Sequence, residues 1–247
     1  MSQEKIPALI DLKPLPMHTL GGTFNRHFVY QGQDGHKFLR RKSLTIPEWR
    51  EVIKKNNKQW GFEQDGANVV VRTEDEICEL AVAAHEAGLR VPPIIKDGKG
   101  GTLTPYLENA VTLDKYLPTA PGADAERTLT ELISDLSAAH SKGIVYGDRW
   151  YNNILVDPAL GVVNIDFDLK PEGPGKELDL AQVIYYSIAF DKDRSPATLV
   201  SVLKRTPLDY NLALVKKFMD TKEAWSRDKY GDLRIVIDTF FNKLKKE

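Results

Sequence analysis

The chain has 247 residues, 42% of them apolar and 28% charged, and its 34 basic and 35 acidic side chains leave a net charge of −1. That content supports a real core in one large domain or two lobes, and the even charge gives no general case for nucleic acid or an anionic membrane as partner. The single cysteine, Cys78, excludes an intrachain disulfide and a cysteine-based zinc site and suits a reducing cytoplasm; Glu4, Pro7, Asp11 and Pro14 interrupt any signal-peptide core, and the eleven-residue apolar stretch 180–190 is too short to span a bilayer.

Residues 17–42 read as a strand pair. Phe28-Val29-Tyr30 and Phe38-Leu39 are β-prone around the turn signal Gln33-Asp34-Gly35. Residues 44–60 look like a polar helical insertion with Pro47 near its first turn, and 61–70 read as loop. Thr73 is the expected N-cap of a helix, with Glu76 three residues on to complete a capping box. That helix runs through Ile77, Leu80, Ala81 and Ala84 and stops at Gly88. Residues 90–108 read as strand, glycine turn and strand, and 118–122 as loop. Residues 123–142 form an amphipathic helix with Leu129, Leu132, Ile133, Leu136 and His140 on one face. His140 is expected to be a hydrogen-bonded core histidine. Asp179 opens an apolar helix, where its ordinary role is N-cap. The last helix carries Leu233, Val236, Ile237, Phe240 and Leu244 on one stripe, which a helix normally docks on its own domain. Contact with a membrane surface, helped by Lys243, Lys245 and Lys246, is the alternative use. Strands thus precede residue 108 and helices follow it. The fold class is α+β, with a β-rich N-lobe over 1–108 and an α-helical C-lobe over 109–247.

The chemistry is concentrated in two short stretches. Gly147-Asp148 is followed by Asn153, which opens the apolar run Ile154-Leu155-Val156, and eighteen residues after Asp148 comes Ile165-Asp166-Phe167-Asp168. Phosphoryl transfer needs one carboxylate to accept the proton of the attacking hydroxyl, and an amide oxygen with a second carboxylate to hold Mg²⁺ against the phosphates. Asp148 is therefore the candidate base, with Asn153 and Asp166 as metal ligands. Asp168 either adds a carboxylate to the metal or shapes the turn. Gly21-Gly22-Thr23 lies where backbone N–H groups could cradle phosphates. On the strand 37–42, alternation puts Phe38 and Arg40 on one face and Leu39 and Arg41 on the other. Arg40 is the expected phosphate cation, paired with Glu76, or with Glu79 one turn along. Arg41 and Lys42 read as solvated charge. Arg149 and Lys170 flank the carboxylates and are expected at the site entry. Tyr146 reads as a packing residue.

The order of these parts resembles the protein-kinase superfamily. Within it, Phe38-Leu39-Arg40-Arg41, the stretch 76–93 ending Glu-Ala-Gly-Leu-Arg-Val-Pro-Pro, Leu103-Thr104-Pro105-Tyr106-Leu107-Glu108 and Ile165-Asp166-Phe167-Asp168 look like lipopolysaccharide core sugar kinases, especially 3-deoxy-D-manno-octulosonic acid kinases. The resemblance covers roughly 20–180. It implies a bilobal kinase fold, ATP and Mg²⁺ as cofactors, Asp148 as base, and a nucleotide hinge over 104–108 with Thr104, Tyr106 and Glu108. In place of the family's glycine pair after the third-strand arginine stand Lys42 and Ser43, and Tyr146-Gly147 replaces its histidine-led form. The implied activity is transfer of the γ-phosphate to a hydroxyl, most nearly of a lipopolysaccharide core sugar, in the cytoplasm or peripherally at the inner membrane. The next nearest likeness is to small atypical RIO-like protein kinases, which would act on a protein serine or threonine. A pseudokinase or nucleotide-binding module is the third reading. The resemblance also implies that Asp179 anchors the catalytic-loop backbone from below, a structural role compatible with the cap, and only 167–178 separate it from Asp166, too few residues for a long peptide-positioning segment.

Overall fold

The computed structural model describes residues 11–15, 25–43, 53, 55, 58–62, 68–207 and 209–245. The expected strand pair is present as β2 (Asn25–Gln31) and β3 (Lys37–Ser43), with Val29 opposite Leu39 and Phe28 opposite Arg40. Gly35 turns the chain at φ 85°, and the Asp34 carboxylate accepts from the His36 N–H at 3.0 Å. A short β1 (Lys13–Pro14) flanks β2. Further along the chain β5 (Ile95–Lys96) and β6 (Thr102–Pro105) complete a five-stranded antiparallel sheet in the order β1-β2-β3-β6-β5. On one face of that sheet Leu12, Phe38 and Leu103 form a small apolar cluster, with Tyr30 packed against it.

The main core is separate and continuous. It runs from Ile53, Trp60 and Phe62 through Ile77, Ala81 and Ala84 of α1 (Glu74–Glu86) into the helical half. The Thr73–Glu76 capping box forms as expected: the Glu76 N–H donates to Thr73 Oγ1 and the Thr73 N–H to Glu76 Oε2. After α2 (Leu113–Tyr116), α3 (Gly122–Ser141) turns Leu129, Leu132, Ile133 and Leu136 inward. The centre is α4 (Gly175–Phe190), buried on nearly every side. A helix apolar all round belongs in the interior, and α5 (Ser195–Arg205), α6 (Leu212–Tyr230) and α7 (Arg234–Lys245) surround it. Ile237, Phe240 and Phe241 of α7 are buried in that packing, so the apolar stripe of the last helix is turned to its own domain. No helix among the described residues is long and apolar enough to cross a membrane.

Two expectations are corrected. The 61–70 stretch is not all loop: β4 (Asn68–Val71) pairs antiparallel with β10 (Leu169–Glu172), the strand that leaves the 165–168 turn. Its three consecutive valines favour a strand, and the partner arrives far along the chain. The expected helical insertion 44–60 lies partly outside the described residues, and its end is not polar. Trp60 and Phe62 are 2% and 0% exposed and pack across the chain, Trp60 on Tyr185 and Tyr186, Phe62 on Phe218. β7 (Val111–Thr112), β8 (Ile154–Asp157) and β9 (Gly161–Asn164) form a third small sheet that carries the candidate site.

Emptying the Trp60 position should be severe. Trp60→Ala is expected to lower unfolding free energy by about 3–5 kcal/mol in urea denaturation, whereas Ile235→Ala, at a side chain 78% exposed, should stay within about 0.5 kcal/mol.

Lys222 gives a pH signature. Its ammonium lies over the Trp60 and Trp150 rings and donates to Gln59 Oε1, and burial, aided by Lys229, lowers its pKa from 10.5 to about 8. Between those two values the unfolded chain holds a proton that the folded chain has released, so this group's contribution to stability rises with pH. Relative to Lys222→Met, wild-type protein should therefore gain stability from pH 8 to about pH 10, read from urea midpoints at each pH.

Candidate active site

The β8–β9 hairpin brings the two motif stretches together. A single 3₁₀ turn, Tyr151–Asn153, leads into β8, and Asp166 comes two residues after the end of β9. Asn153 Nδ2 donates to the Asp148 carbonyl at 3.1 Å and to Asp148 Oδ2 at 3.3 Å, which fixes the loop between them. Arg149 is wholly buried. Its Nη1 donates to Asn164 Oδ1 at 3.1 Å, and its Nη2 donates to the carbonyls of Ile165 and Asp166, both at 3.1 Å. Its guanidinium also covers the Tyr146 ring. Arg149 therefore ties one loop to the other and does not stand at the site entry as expected from its place beside Asp148.

The next tier holds the loop from below. Asp179 accepts from the backbone N–H groups of Tyr146 and Gly147, both at 2.8 Å, and from His140 Nε2 at 3.2 Å. It lies in the second turn of α4, which begins at Gly175, so it anchors the loop and does not cap the helix. His140 is the core histidine expected, its Nδ1 2.7 Å from the Tyr210 hydroxyl. Tyr146 does more than fill space: its hydroxyl donates to Asp135 Oδ2 at 2.8 Å, and Asn164 Nδ2 donates to the same oxygen. Gly147, at φ 94°, cannot be replaced without strain, because a Cβ there would fall 2.1 Å from the Leu169 carbonyl oxygen.

Arg72, between β4 and α1, is the residue the sequence did not reveal. Its Nη1 donates to the carbonyls of Tyr146 (2.9 Å), Phe167 (3.0 Å) and Leu169 (2.5 Å), and its Nη2 donates to that of Val145 (2.7 Å). One buried side chain thus joins both loops. The only sequence signal for it was its position at the end of a valine run, just before a capped helix.

Three carboxylates crowd the site. Burial, and next the charge of Asp166, push Asp148 up to about 8, and the same causes push Asp168 up to about 7 against the pull of Arg41. Asp166 is the one non-glycine residue at positive φ among the described residues, at 60°. Its Oδ1 is buried without a hydrogen-bond partner, 4.0 Å from Arg41 Nη2. A strained backbone beside an unpartnered carboxylate oxygen is a site held ready for something. A hard divalent cation fits that deficit, with Asn153 and Asp166 as oxygen donors. Among the described residues no group of three or more His, Cys, Asp or Glu side chains is arranged as a metal site, so this donor pair would share the ion with ligand oxygens. Asp168 places its two oxygens against Arg41 of β3 and Asn25 Nδ2 of β2 (2.9 Å), contacts that favour turn-shaping over metal binding.

The expected Arg40–Glu76 pair is not formed. Arg40 Nε donates to Asp97 Oδ2 at 2.5 Å, while Glu76 receives Lys170 Nζ at 3.2 Å. Arg41 is the strand cation that faces the carboxylates. The alternation was right and its phase wrong, because Phe38, on the Arg40 face, packs into the separate cluster with Leu12 and Leu103. Thr104 lies in β6, with its hydroxyl donating to the Pro93 carbonyl at 2.9 Å. The Tyr106 N–H donates to the Lys37 carbonyl, and Glu108 pairs with Lys37 Nζ at 2.6 Å, so the 104–108 stretch runs beside the start of β3. Gly21, Gly22 and Thr23 lie outside the described residues. In comparisons with protein-family models and with curated proteins, nothing matches the chain.

Removing the Arg72 clamp should be costly. Arg72→Leu is expected to lower unfolding free energy by at least about 3 kcal/mol, since buried carbonyls left without donors cost roughly 1–3 kcal/mol each. Arg72→Lys should recover only part of this, because an ammonium cannot fork to both loops. A urea midpoint close to wild type for Arg72→Leu would show that the loops hold without it.

Proposed function

We propose that the chain is an ATP- and Mg²⁺-dependent phosphotransferase of protein-kinase-like, bilobal organisation, moving the γ-phosphate to a hydroxyl group, most nearly of a core sugar. One observation carries the reading: Asp148 and Asp166, on separate loops, are close enough for the Asp166 charge to raise Asp148, and Asn153, Arg149 and Arg72 hold both loops in that relation. In this reading Asn153 and Asp166 would hold Mg²⁺, which would supply positive charge to the phosphates and favour the ionised form of Asp148. Asp148 takes the proton of the acceptor hydroxyl. Its half-buried carboxylate is held by Asn153, which fixes where that proton must arrive. Arg41 replaces Arg40 as the cation for the phosphates, because it alone of the two faces Asp166 and Asp168. Pairing with Asp168 keeps its guanidinium in place between nucleotides.

The sugar acceptor is favoured over a protein acceptor by the path of the chain after Asp168. Residues 169–172 are taken up by pairing with β4, and α4 starts at Gly175. Little chain is left there to make a shelf for an extended peptide.

The reading is tested by Mg²⁺-dependent transfer of labelled phosphate from ATP to core-sugar acceptors. Asp148→Asn should lower turnover by ~10²–10⁴ while nucleotide still binds; turnover near wild type would remove Asp148 from the role. Arg41→Ala should raise the ATP dissociation constant more than about tenfold, on the order of 1.4 kcal/mol for a charge-assisted contact, and Arg40→Ala should change it little. Equal losses from both would undo the assignment of faces. Transfer to a protein serine at catalytic rates, with none to any sugar, would keep the chemistry and change the acceptor.

A further inference from the structure

Polar contacts hold the Asp148 loop as far as Arg149. Asp179 accepts from the Tyr146 and Gly147 N–H groups, and the Arg149 N–H donates to Gln182 Oε1 at 2.6 Å. At Trp150 the hold changes character. Its ring packs on Tyr151 and Tyr186, with centroids 6.2 Å and 5.6 Å away. Packing of that kind fills space but tolerates a range of offsets and tilts. One charged group enters it. Lys222 of α6 is 3% exposed, and its ammonium lies 5.3 Å from the centre of the Trp150 ring and 5.5 Å from that of Trp60. Its Nζ donates to Gln59 Oε1 at 2.8 Å. The 58–62 segment, the Asp148 loop and α6 therefore meet at one nitrogen.

That placement is costly, because a desolvated ammonium needs compensation. Among the described residues no carboxylate supplies it. Glu223, the next residue of α6, pairs with Arg227 and Arg234. The one charge that acts on Lys222 is Lys229, which lies over the Tyr151 ring and has the same sign. From the other elements, α4 brings the phenols of Tyr185 and Tyr186 against Trp60, Lys58 lies over Trp225, and Arg149 is used on Asn164, Ile165 and Asp166. Compensation is thus one amide oxygen and two indole faces, whose attraction for a cation is directional and grows where water is excluded. An apolar side chain of similar volume would fill the place without the desolvation. What the charge adds is a condition on geometry: both indoles must turn a face to the same point.

We infer that Lys222 in its charged form is a positioning residue for Asp148: it fixes the Trp150 indole, and through it the loop that presents the base, without touching nucleotide or acceptor. The inference rests on the phosphotransfer reading, which makes Asp148 the base. Its consequence is a pH limit on turnover set by a group away from the reacting atoms. Burial lowers the Lys222 pKa to about 8. Above that pH the ammonium becomes an amine, the indole faces no longer hold it, and the loop loses a fixed point. Turnover therefore falls over the range in which this same group makes the fold more stable. A side chain that acted only by packing would move activity and stability together.

The test compares wild type with Lys222→Arg and Lys222→Met from about pH 6.5 to about 9.5. Turnover is read as labelled γ-phosphate leaving ATP in the presence of Mg²⁺, to water or to core-sugar acceptors. Wild type should lose turnover with a midpoint near pH 8. Across it kcat should fall at least about tenfold, while the KM for ATP holds within about twofold. Arginine stays charged throughout, so Lys222→Arg should keep its turnover past that midpoint. Lys222→Met should be slow at every pH, with no midpoint near 8, although its urea transition remains that of a folded protein. A second measurement leaves Lys222 in place. With Trp49 and Trp225 replaced by phenylalanine, the emission of the remaining indoles, Trp60 and Trp150, should shift across the same midpoint. The inference is overturned, and the phosphotransfer reading left standing, by any of three results: a Lys222→Met protein as fast as wild type, a folded Lys222→Arg protein that is inactive or keeps the alkaline fall, or emission that is flat across pH 8. No turnover in wild type, with the emission shift present, takes down the phosphotransfer reading and the positioning role with it.

Discussion

A buried guanidinium can stay in a protein interior only if its donors are matched, and at Arg72 the match consists of backbone carbonyls from two different loops. Burial lowers its pKa, the nearby Asp179 works against that, and four carbonyls absorb the donors. The side chain in turn is held by its neighbours on both sides. The β4–β10 ladder sets the register of the chain before it, and the Thr73 capping box fixes the start of α1 after it. A shift of one residue in that ladder would carry the guanidinium away from the loops. The arrangement of Asp148 and Asp166 therefore depends on the pairing of two short strands that contain no candidate catalytic group.

The charge distribution follows the same logic. Two arginines are buried beside the site, and both are used on carbonyls and an amide oxygen, not on carboxylates. Among the described residues only Arg41 pairs with the acidic cluster. The Asp166 charge, after burial, accordingly raises both Asp148 and Asp168, and the local field calls for additional positive charge. A site for metal-bound phosphates has this character, because the ligand brings both the missing cation and the anions that Arg41 can bind.

What could be read from the sequence was what is decided within a few residues. The Thr73–Glu76 box, the Gln33-Asp34-Gly35 turn and the inward face of α3 are local, and they form as written. The spacing of Asp148, Asn153 and Asp166 was legible because loop, hairpin and turn follow one another directly. The facing of β3 was not, since Leu12 and Leu103, on distant strands, decide which side Phe38 seeks. Arg72 was silent for a related reason. An arginine after a strand reads as solvated charge until its partners, more than seventy residues away, are in place. Asp135 was hidden because a carboxylate on a helix gives no sign that Tyr146, Asn164 and the Arg90 N–H will converge on it. Asp179 was misplaced as a cap, because Gly175 is a poor announcement of a helix start, while the loop-anchoring role that the kinase resemblance implies is the one it fills.

The packing of Trp60 and Phe62 on α4 and α6 bears on how the molecule acquires its shape. Lys222 and Gln59 meet across 163 residues, and Asn25 meets Asp168 across 143. During synthesis the sheet strands leave the ribosome long before α4 and α6 exist to receive Trp60 and Phe62. Early chains must hold Trp60, Phe62 and the β4 edge exposed, and an unpaired valine strand beside bare aromatics is a ready template for intermolecular pairing. Ordering by such distant contacts also slows collapse to the native state, because loop closure precedes the interactions that reward it. The assembly that fixes the site is thus a late event in folding, and the growing polypeptide is a natural client for chaperones until α6 is complete.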